Sequence, residues 1–460
     1  MQIPNRKTPN GMTLLQSHSK FQRGLDLMME ALEEMQTSAG QVDLSADAYA
    51  ERLARVARLR GRPLFFPYIG SGLGQGARVL TADGRWLLDF AIGIGVHFFG
   101  HSHPDLVRTA LTAAASDVVM QGNLQANAEY SDLLDILLSH SAPQLTYGWL
   151  SLPGTEANEN ALKLIRYHRQ PARDVIAFRR CFHGRTTTMA EITDRPDYRK
   201  GQPTRERVFY LPFYESDDPD SSQKTLSALC AILDQHPGEI AVCVFELIQG
   251  ESGFQTAPRE FFIPLMETLK ERGVTVWVDE IQTFGRTGEL FAFQRLNLAE
   301  YVDVVTVGKL LQNSAVLFRK EYQPDPGLIS GTFAGSTVGM AVGRRIVEKL
   351  LQEDYFGPEG RIAALEQHTR EGLTRLQTET SGAIRAVSGI GAMWAFEPTG
   401  ASHEGIRALL QECYRNGLML YYAGVGEGPY RVRMFLPGGV ATPNDVDEAL
   451  KILRFSLAHL

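Results

Sequence analysis

Residues Gly273 to Leu310 read GVTVWVDEIQTFGRTGELFAFQRLNLAEYVDVVTVGKL. Two apolar, β-branched runs stand out, Val274 to Val278 and Val302 to Val307. Runs of that length without polar alternation read as strands buried on both faces, as in a parallel sheet. The first ends on Asp279 and the second on Gly308 and Lys309. Each strand therefore carries one ionisable side chain to its C-terminal end, the edge at which open α/β sheets bind ligands.

A carboxylate and a lysine at neighbouring strand ends suit pyridoxal phosphate. That cofactor needs an amine to form a Schiff base and an anion to keep its pyridine nitrogen protonated. Lys309 supplies the first and Asp279 the second. By spacing alone, an ordinary ion pair or two unrelated charges at loop starts satisfies the pattern as well.

The words around the pair, VDEIQTFGRTG and VTVGK, resemble the signature of the class III aminotransferases, pyridoxal-phosphate enzymes of fold type I. The likeness extends from about Phe66 to the C-terminal end of the chain. It implies an α/β protein with a large, mostly parallel-sheet cofactor domain and a smaller α+β domain. It also implies that Asp279 binds the ring nitrogen, that Gln282 contacts the phenolic oxygen and that Lys309 carries the cofactor.

Composition sets the outer bounds. The chain has 460 residues, 44% of them hydrophobic, enough for a large core in two or more lobes. Net charge is −7 and no long basic tract occurs, so neither nucleic acid nor an anionic membrane is indicated as a partner. Cys181, Cys230, Cys243 and Cys413 lack C-x-x-C spacing, as expected of a reducing compartment. No apolar run has the length of a membrane helix and the N-terminal stretch lacks a signal-peptide core, so the expectation is a cytoplasmic protein.

Residues 1–60 are polar with helical periodicity at Phe21 to Met35 and Ala48 to Leu59; they read as a helical cap or an oligomer-contact arm. Gly70 to Gly76 (GSGLGQG) is not a dinucleotide loop, because it precedes a hairpin around Asp83-Gly84 rather than linking a strand to a helix. His101 and His103 lack acidic or cysteine companions and read as structural residues in a turn before Pro104, so no metal site is expected.

Strands and helices then alternate. Tyr147 to Ser151 reads as a strand and Glu156 to His168 as a helix, with Pro153-Gly154-Thr155 between them. A Gly-Thr turn opening a helix offers free N–H groups, a hydroxyl and a positive dipole end to a phosphate, although a plain Thr N-cap reads the same way. The family's usual SGTEANE is PGTEANE here, so Gly154 and Thr155 carry the expectation and Pro153 does not. After the strand Val175 to Phe178 comes CFHGRT. The resemblance implies that Phe182 stacks on the pyridine ring and that Arg185 grips a substrate carboxylate, as a guanidinium does with two parallel hydrogen bonds.

Glu239 to Ile248 reads as a buried strand leading into Glu246-Leu-Ile-Gln-Gly-Glu251. By the resemblance, Glu246 sits near the ring or Asp279. Glu251 matches an acid that pairs with a C-terminal arginine when no α-carboxylate is bound. Arg431 and Arg433 share a strand face in YRVRMFLP; spacing to Pro437 favours Arg433, with Arg431 left open.

Two segments depart from the family pattern. QTFGRTG is one glycine short, and Leu310 to Ala315 replaces a glycine-rich loop, as in lysine 6-aminotransferase-like members. SGTFAG resembles the family's STFGGN, whose threonine, here Thr332, reaches the phosphate of the neighbouring subunit in a homodimer. The C-terminal lobe shows helices at Met340 to Leu351, Ile362 to Leu376 and Gly405 to Asn416, with strands at Ala383 to Phe396 and Tyr430 to Leu436. The expected division is 1–60 extension, 61–95 N-terminal part of the small domain, 96–338 large domain and 339–460 C-terminal small domain.

The resemblance thus implies a homodimeric aminotransferase acting on small molecules. Its donor would be an ω-amino acid of the ornithine, acetylornithine, 4-aminobutyrate or lysine type, and its acceptor a 2-oxo acid such as 2-oxoglutarate. A racemase, aminomutase or decarboxylase of the same fold, or a non-catalytic member, stands as the alternative.

Overall fold

A computed structural model describes residues 11–38, 44–117, 124–424 and 429–460. A seven-stranded sheet forms its centre. Across the sheet the strands run Leu145–Ser151, Ser314–Arg319, Val304–Val307, Thr275–Glu280, Ile240–Phe245, Asp174–Phe178 and Val208–Leu211. All are parallel except Ser314–Arg319, which runs antiparallel to both neighbours.

The near-continuous apolar composition of these strands follows from burial on both faces. Val276, Val278, Val305 and Val307 pack into one core with Leu265 and Leu269 of the helix Arg259–Glu271 and Met340 and Leu350 of the helix Thr337–Gln352. Trp277, Val304 and Val316 face the opposite core with Leu162 and Ile165 of the helix Gly154–His168. Successive strand residues point to opposite faces, so a strand between two helical layers has no polar side. Each fully buried valine stabilises the fold by about 1.5–3 kcal/mol relative to exposure.

The two signal strands differ from expectation at their ends. The first runs on through Asp279 and Glu280. The second begins at Val304, because the Asp303 carboxylate accepts the Val276 N–H at 2.9 Å and takes the place of a ladder bond. The expected strand Glu239 to Ile248 divides into Ile240–Phe245 and a short pair, Ile248–Gln249 with Gln255–Thr256. The break falls where the Glu246 carboxylate turns to accept backbone N–H groups. The glycine-rich Gly70–Gln75 is itself a strand, paired with Arg78–Thr81.

The last part of the chain forms an antiparallel sheet of Ile384–Ile390, Met393–Pro398, Arg431–Phe435 and Tyr421–Ala423, covered by the helices Arg361–Glu379, His403–Arg415 and Pro443–Leu457. The single strand expected over Ala383 to Phe396 is thus a hairpin. It turns at Gly391, whose φ is +57°. Leu418–Met419 pairs with Trp86–Asp89, so the early hairpin and the C-terminal lobe share a sheet. Helices Ser19–Thr37 and Ala46–Arg60 precede these elements. Among the described residues no helix is long and apolar enough to cross a membrane.

Gly391 and Gly400 both hold left-handed backbone, but a Cβ at Gly391 would overlap the carbonyl oxygen of Arg286, whereas one at Gly400 meets open space. We predict that Gly400→Ala costs about 1 kcal/mol, from conformation alone. Gly391→Ala should cost about 3 kcal/mol or more, because backbone must also move. Urea unfolding of the two variants measures the difference; equal losses would mean that the Arg286 segment yields without resistance.

Candidate functional site

Five segments converge on the C-terminal edge of the large sheet. They are the helix start at Gly154, the stretch Phe182 to Arg185, the stretch Glu246 to Glu251, Asp279 to Thr283 at a strand end, and Lys309. They enclose a cavity of about 310 Å³, near the lower end of the roughly 300–1,000 Å³ typical of small-ligand sites. Lys309, Asp279, Gln282, Gly154, Thr155, Phe182, Glu246, Arg185 and Glu251 all line it. Arg433 reaches it from the C-terminal lobe through Glu251. Thr332 does not line it and is exposed.

The Asp279 carboxylate is buried and well supplied with donors. Its Oδ2 accepts from Asn158 Nδ2 and His183 Nδ1, each at 2.8 Å, and its Oδ1 accepts the Ile281 N–H at 3.0 Å. Burial opposes a charge on His183, but its neighbours Cys181 and Asp279 overcome this and hold it well above the ordinary imidazole range. The pleat turns the next residue the other way. Glu280 accepts from Thr283 Oγ1 and the N–H groups of Ala292 and Phe293, fixing the turn that follows the strand. Its burial pushes the carboxyl up to about 7.

Glu246 accepts the N–H groups of Phe182 at 2.8 Å and Gly250 at 3.2 Å. Burial, with Asp279 adding and His183 opposing, raises it to about 7. Gln282 lies so close to Gly250 that any Cβ there would overlap its amide, and its Oε1 is buried without a partner. Gly184, with φ +141°, likewise leaves room for the Thr155 hydroxyl at the helix start. The N–H groups of Gly154 and Thr155 lie in the first turn and have no intrahelical acceptor.

Lys309 closes its strand in a 3-10 turn with φ +44°, and Gln312 ends that turn at φ +59°. The glycine-free segment therefore turns through left-handed backbone, at a cost of about 1–2 kcal/mol for each such residue. Burial lowers the Lys309 amine to about 7, with Arg433 and Arg286 adding to the effect and Glu251 opposing it.

The substrate side of the cavity is charged. Arg433 is fully buried and donates through Nη1 to Glu251 Oε1 at 2.9 Å and to the Gly250 carbonyl at 3.0 Å. Its Nε and Nη2 donate to the Tyr422 carbonyl at 3.0 and 2.8 Å. Arg431, left open above, instead donates to the Gly253 carbonyl and to Ser388 Oγ. Burial pushes the Glu251 carboxyl up, but the charges of Arg433, Lys309 and Arg195 more than reverse this, and it lies below its ordinary range. Arg185 stands exposed at the cavity wall with no carboxylate in ion-pair reach among the described residues.

Three further residues gain a role at the site only through the fold. Asn158 follows Gly154 by one helical turn and so shares its face, a spacing that could have found it. His183 lies beside Phe182 in the quoted motif. Arg195 gave no signal, yet it donates to the Glu251 carbonyl at 3.1 Å. Among the described residues no cluster of His, Cys, Asp or Glu is placed to hold a metal ion; His101 lies 3.0 Å from Asp89 instead. The donor set does fit pyridoxal phosphate. It offers an amine with a lowered pKa, a carboxylate held by two side-chain donors, an amide with an unpartnered oxygen, and a helix start open to an anion.

A family model described as Aminotransferase class-III matches residues 68–457. The chain is 30% identical over 404 residues to the acetylornithine aminotransferase of Thermosynechococcus vestitus, covering 84% of this chain and 92% of that protein. It is 29% identical to the 2-aminoadipate transaminase of Pseudomonas putida, covering 84% and 95%. The fold superposes on the lysine aminotransferase from M. tuberculosis in its internal aldimine form with a TM-score of 0.78, at 22% identity, covering 88% of this chain and 99% of that one.

The lowered Lys309 amine yields a pH test. In cofactor-free protein, reaction of Lys309 with a small amine-reactive electrophile such as acetic anhydride should rise with pH through about 7, where an ordinary lysine needs about 10.5. Because Glu251 holds the amine charged, Glu251→Gln should move that midpoint lower still. Peptide mapping of labelled Lys309 across pH reads both; a midpoint near the ordinary lysine value would contradict the buried, arginine-flanked environment.

Proposed function

The chain belongs to the class-III aminotransferase family, and from that premise we propose that it moves the terminal amino group of an ω-amino acid to a 2-oxo acid such as 2-oxoglutarate. The cofactor is pyridoxal phosphate. Lys309 would attach it, Asp279 would pair with its ring nitrogen, Gln282 would contact its phenolic oxygen and Phe182 would stack on its ring. Glu246 would border the ring, and Gly154 and Thr155 would receive the phosphate. When bound, the cofactor supplies a protonated ring that takes up the electron pair left by a breaking C–H bond.

The chain's own residues do the rest. Asn158 and His183 hold the Asp279 carboxylate aimed into the cavity. Lys309 would hold the cofactor, and its Nζ would serve as the acid–base that takes up and gives back the proton of the substrate carbon. Its lowered pKa suits a group that must be a neutral base near pH 7.

The observation that carries the choice of donor is the Arg433–Glu251 pair beside an unpaired Arg185. With Glu251 on Arg433, the α-carboxylate position is already neutralised. A donor whose amine is terminal then presents its carboxylate to Arg185. A 2-oxo acid needs Arg433, and gains it when Glu251 turns aside; the two carbonyl acceptors of Arg433 keep the guanidinium in place meanwhile. Ornithine, N-acetylornithine, 4-aminobutyrate and lysine all meet this description, and relatives named for acetylornithine and lysine support the class.

The working unit is a homodimer, with Thr332 reaching the phosphate in the partner subunit. The exposure of Thr332 and of its neighbour Phe333, 61% exposed, supports that reading. Four free cysteines support a reducing compartment such as the cytoplasm.

We predict that the purified protein carries a visible absorbance band which one ω-amino acid bleaches and 2-oxoglutarate restores. Lys309→Ala should lower turnover about 10³-fold or more, at the upper side of what a positioned acid–base contributes. Turnover that needs no 2-oxo acid would point to a racemase, aminomutase or decarboxylase on the same site. A band that no amine shifts would leave the protein a non-catalytic member.

A further inference from the structure

We propose that Tyr198 is a positioning residue that holds the Arg185 guanidinium ready for the donor's carboxylate, and so helps select carboxylate-bearing amines over plain ones. The proposal rests on the reading that Arg185 receives that carboxylate. The Arg185 Cζ lies 4.0 Å from the centroid of the Tyr198 ring, and 6.0 Å from that of Phe182. Tyr198 in turn meets Phe182 edge to face, with centroids 6.1 Å apart and planes at 89°. One aromatic corner therefore touches both the cofactor-side ring and the substrate-side cation.

The manner of holding matters. A guanidinium paired with a carboxylate has its N–H fork occupied. A guanidinium resting on a ring is held through its face, and the fork, which lies in the plane, stays free for a bidentate acceptor. Arg185 has long, rotamer-rich geometry and sits exposed beside Gly184, so without a support its ordering would fall on each binding event. Tyr198 provides the support without competing for the ligand.

The support is itself fixed. Tyr198 lies in the 3-10 turn Pro196–Arg199, with its N–H on the Arg195 carbonyl at 3.0 Å. Arg195 is buried and donates to the Glu251 carbonyl at 3.1 Å. At the other end of the turn, Arg199 Nη1 donates to the carbonyls of Ala190 and Thr193 at 3.2 and 2.9 Å. Burial, and the nearby Glu251 charge, push the Tyr198 phenol up, so the ring stays neutral beside its cation. A single turn thus braces Arg185 on one side and the backbone of Glu251 on the other.

The test compares amines with and without the carboxylate in single-turnover reactions of the holoenzyme. Four pairs serve: ornithine and putrescine, N-acetylornithine and N-acetylputrescine, 4-aminobutyrate and butylamine, lysine and cadaverine. The pair that the unsubstituted protein converts fastest is carried forward to Tyr198→Leu, Tyr198→Phe and Arg185→Leu. In Tyr198→Leu the preference for the carboxylated member should fall about fivefold to tenfold, through the half-saturating amine concentration rather than the limiting rate. Tyr198→Phe, which keeps the ring face, should hold the preference within about twofold.

An unchanged preference in Tyr198→Leu, or a loss shared equally by both members of the pair, would overturn the proposal. So would a Tyr198→Phe variant as impaired as Tyr198→Leu, since the hydroxyl and not the face would then matter. Arg185→Leu separates the two readings. If it abolishes the preference while Tyr198→Leu leaves it intact, only the role of Tyr198 fails. If Arg185→Leu also leaves the preference intact, or if the unsubstituted protein converts no pair or shows no preference for the carboxylate, the assignment of Arg185 fails and this proposal with it.

Discussion

A carboxylate withdrawn from water must find donors or lose its charge, and the site is built around meeting that requirement at Asp279. The donors come from far along the chain: Asn158 lies 121 residues away and His183 lies 96. Bringing them together needs the helix Gly154–His168 to start at the end of one strand, and the stretch after Asp174–Phe178 to fold back over the sheet edge. The same edge delivers Lys309. The sheet's direction and its two-sided burial therefore decide the chemistry as much as the reactive residues do. A strand flipped in register by one residue would turn Asp279 into the core and Glu280 into the cavity.

The two acids of the D-E pair show how far environment separates like groups. Asp279 is fed by an amide and an imidazole and faces the cavity. Glu280 accepts backbone N–H groups on the other side of the pleat and ties the following turn to Phe293. Glu246 and Glu251 diverge in the same way. Glu246 has only backbone donors and rises to about 7, while Glu251 has three cations nearby and falls. Burial raises both; the difference is the company of charges.

Much of this was legible in the sequence because it is local. Buried strands announce themselves by unbroken β-branched runs, and a reactive residue at the end of such a run falls on the binding edge. The turn glycines and the Arg431–Arg433 face were readable for the same reason. The long-range contacts were not. Nothing near Arg195 or Tyr198 marks them as neighbours of Glu251 and Arg185, because their register is set by packing and not by spacing. Strand ends also escaped the reading: Asp303 and Glu246 replace ladder bonds with side-chain bonds, and side-chain acceptors do not show in hydrophobic patterns. The segment Leu310 to Ala315 read as unusual, but its left-handed turn at Gln312 could not be inferred from residues that ordinarily avoid that conformation.

Arg433 contacts Glu251 across 182 residues of sequence and from a different sheet. Asp279, Lys309 and Arg185 belong to the first sheet and its edge, and Arg433 is lent by the last lobe. The charges around one cavity thus come from two separate addresses in the chain. A change in the strand Arg431–Phe435 is therefore felt at Lys309, because Arg433 both helps to lower that amine and holds the Glu251 carboxylate that opposes it.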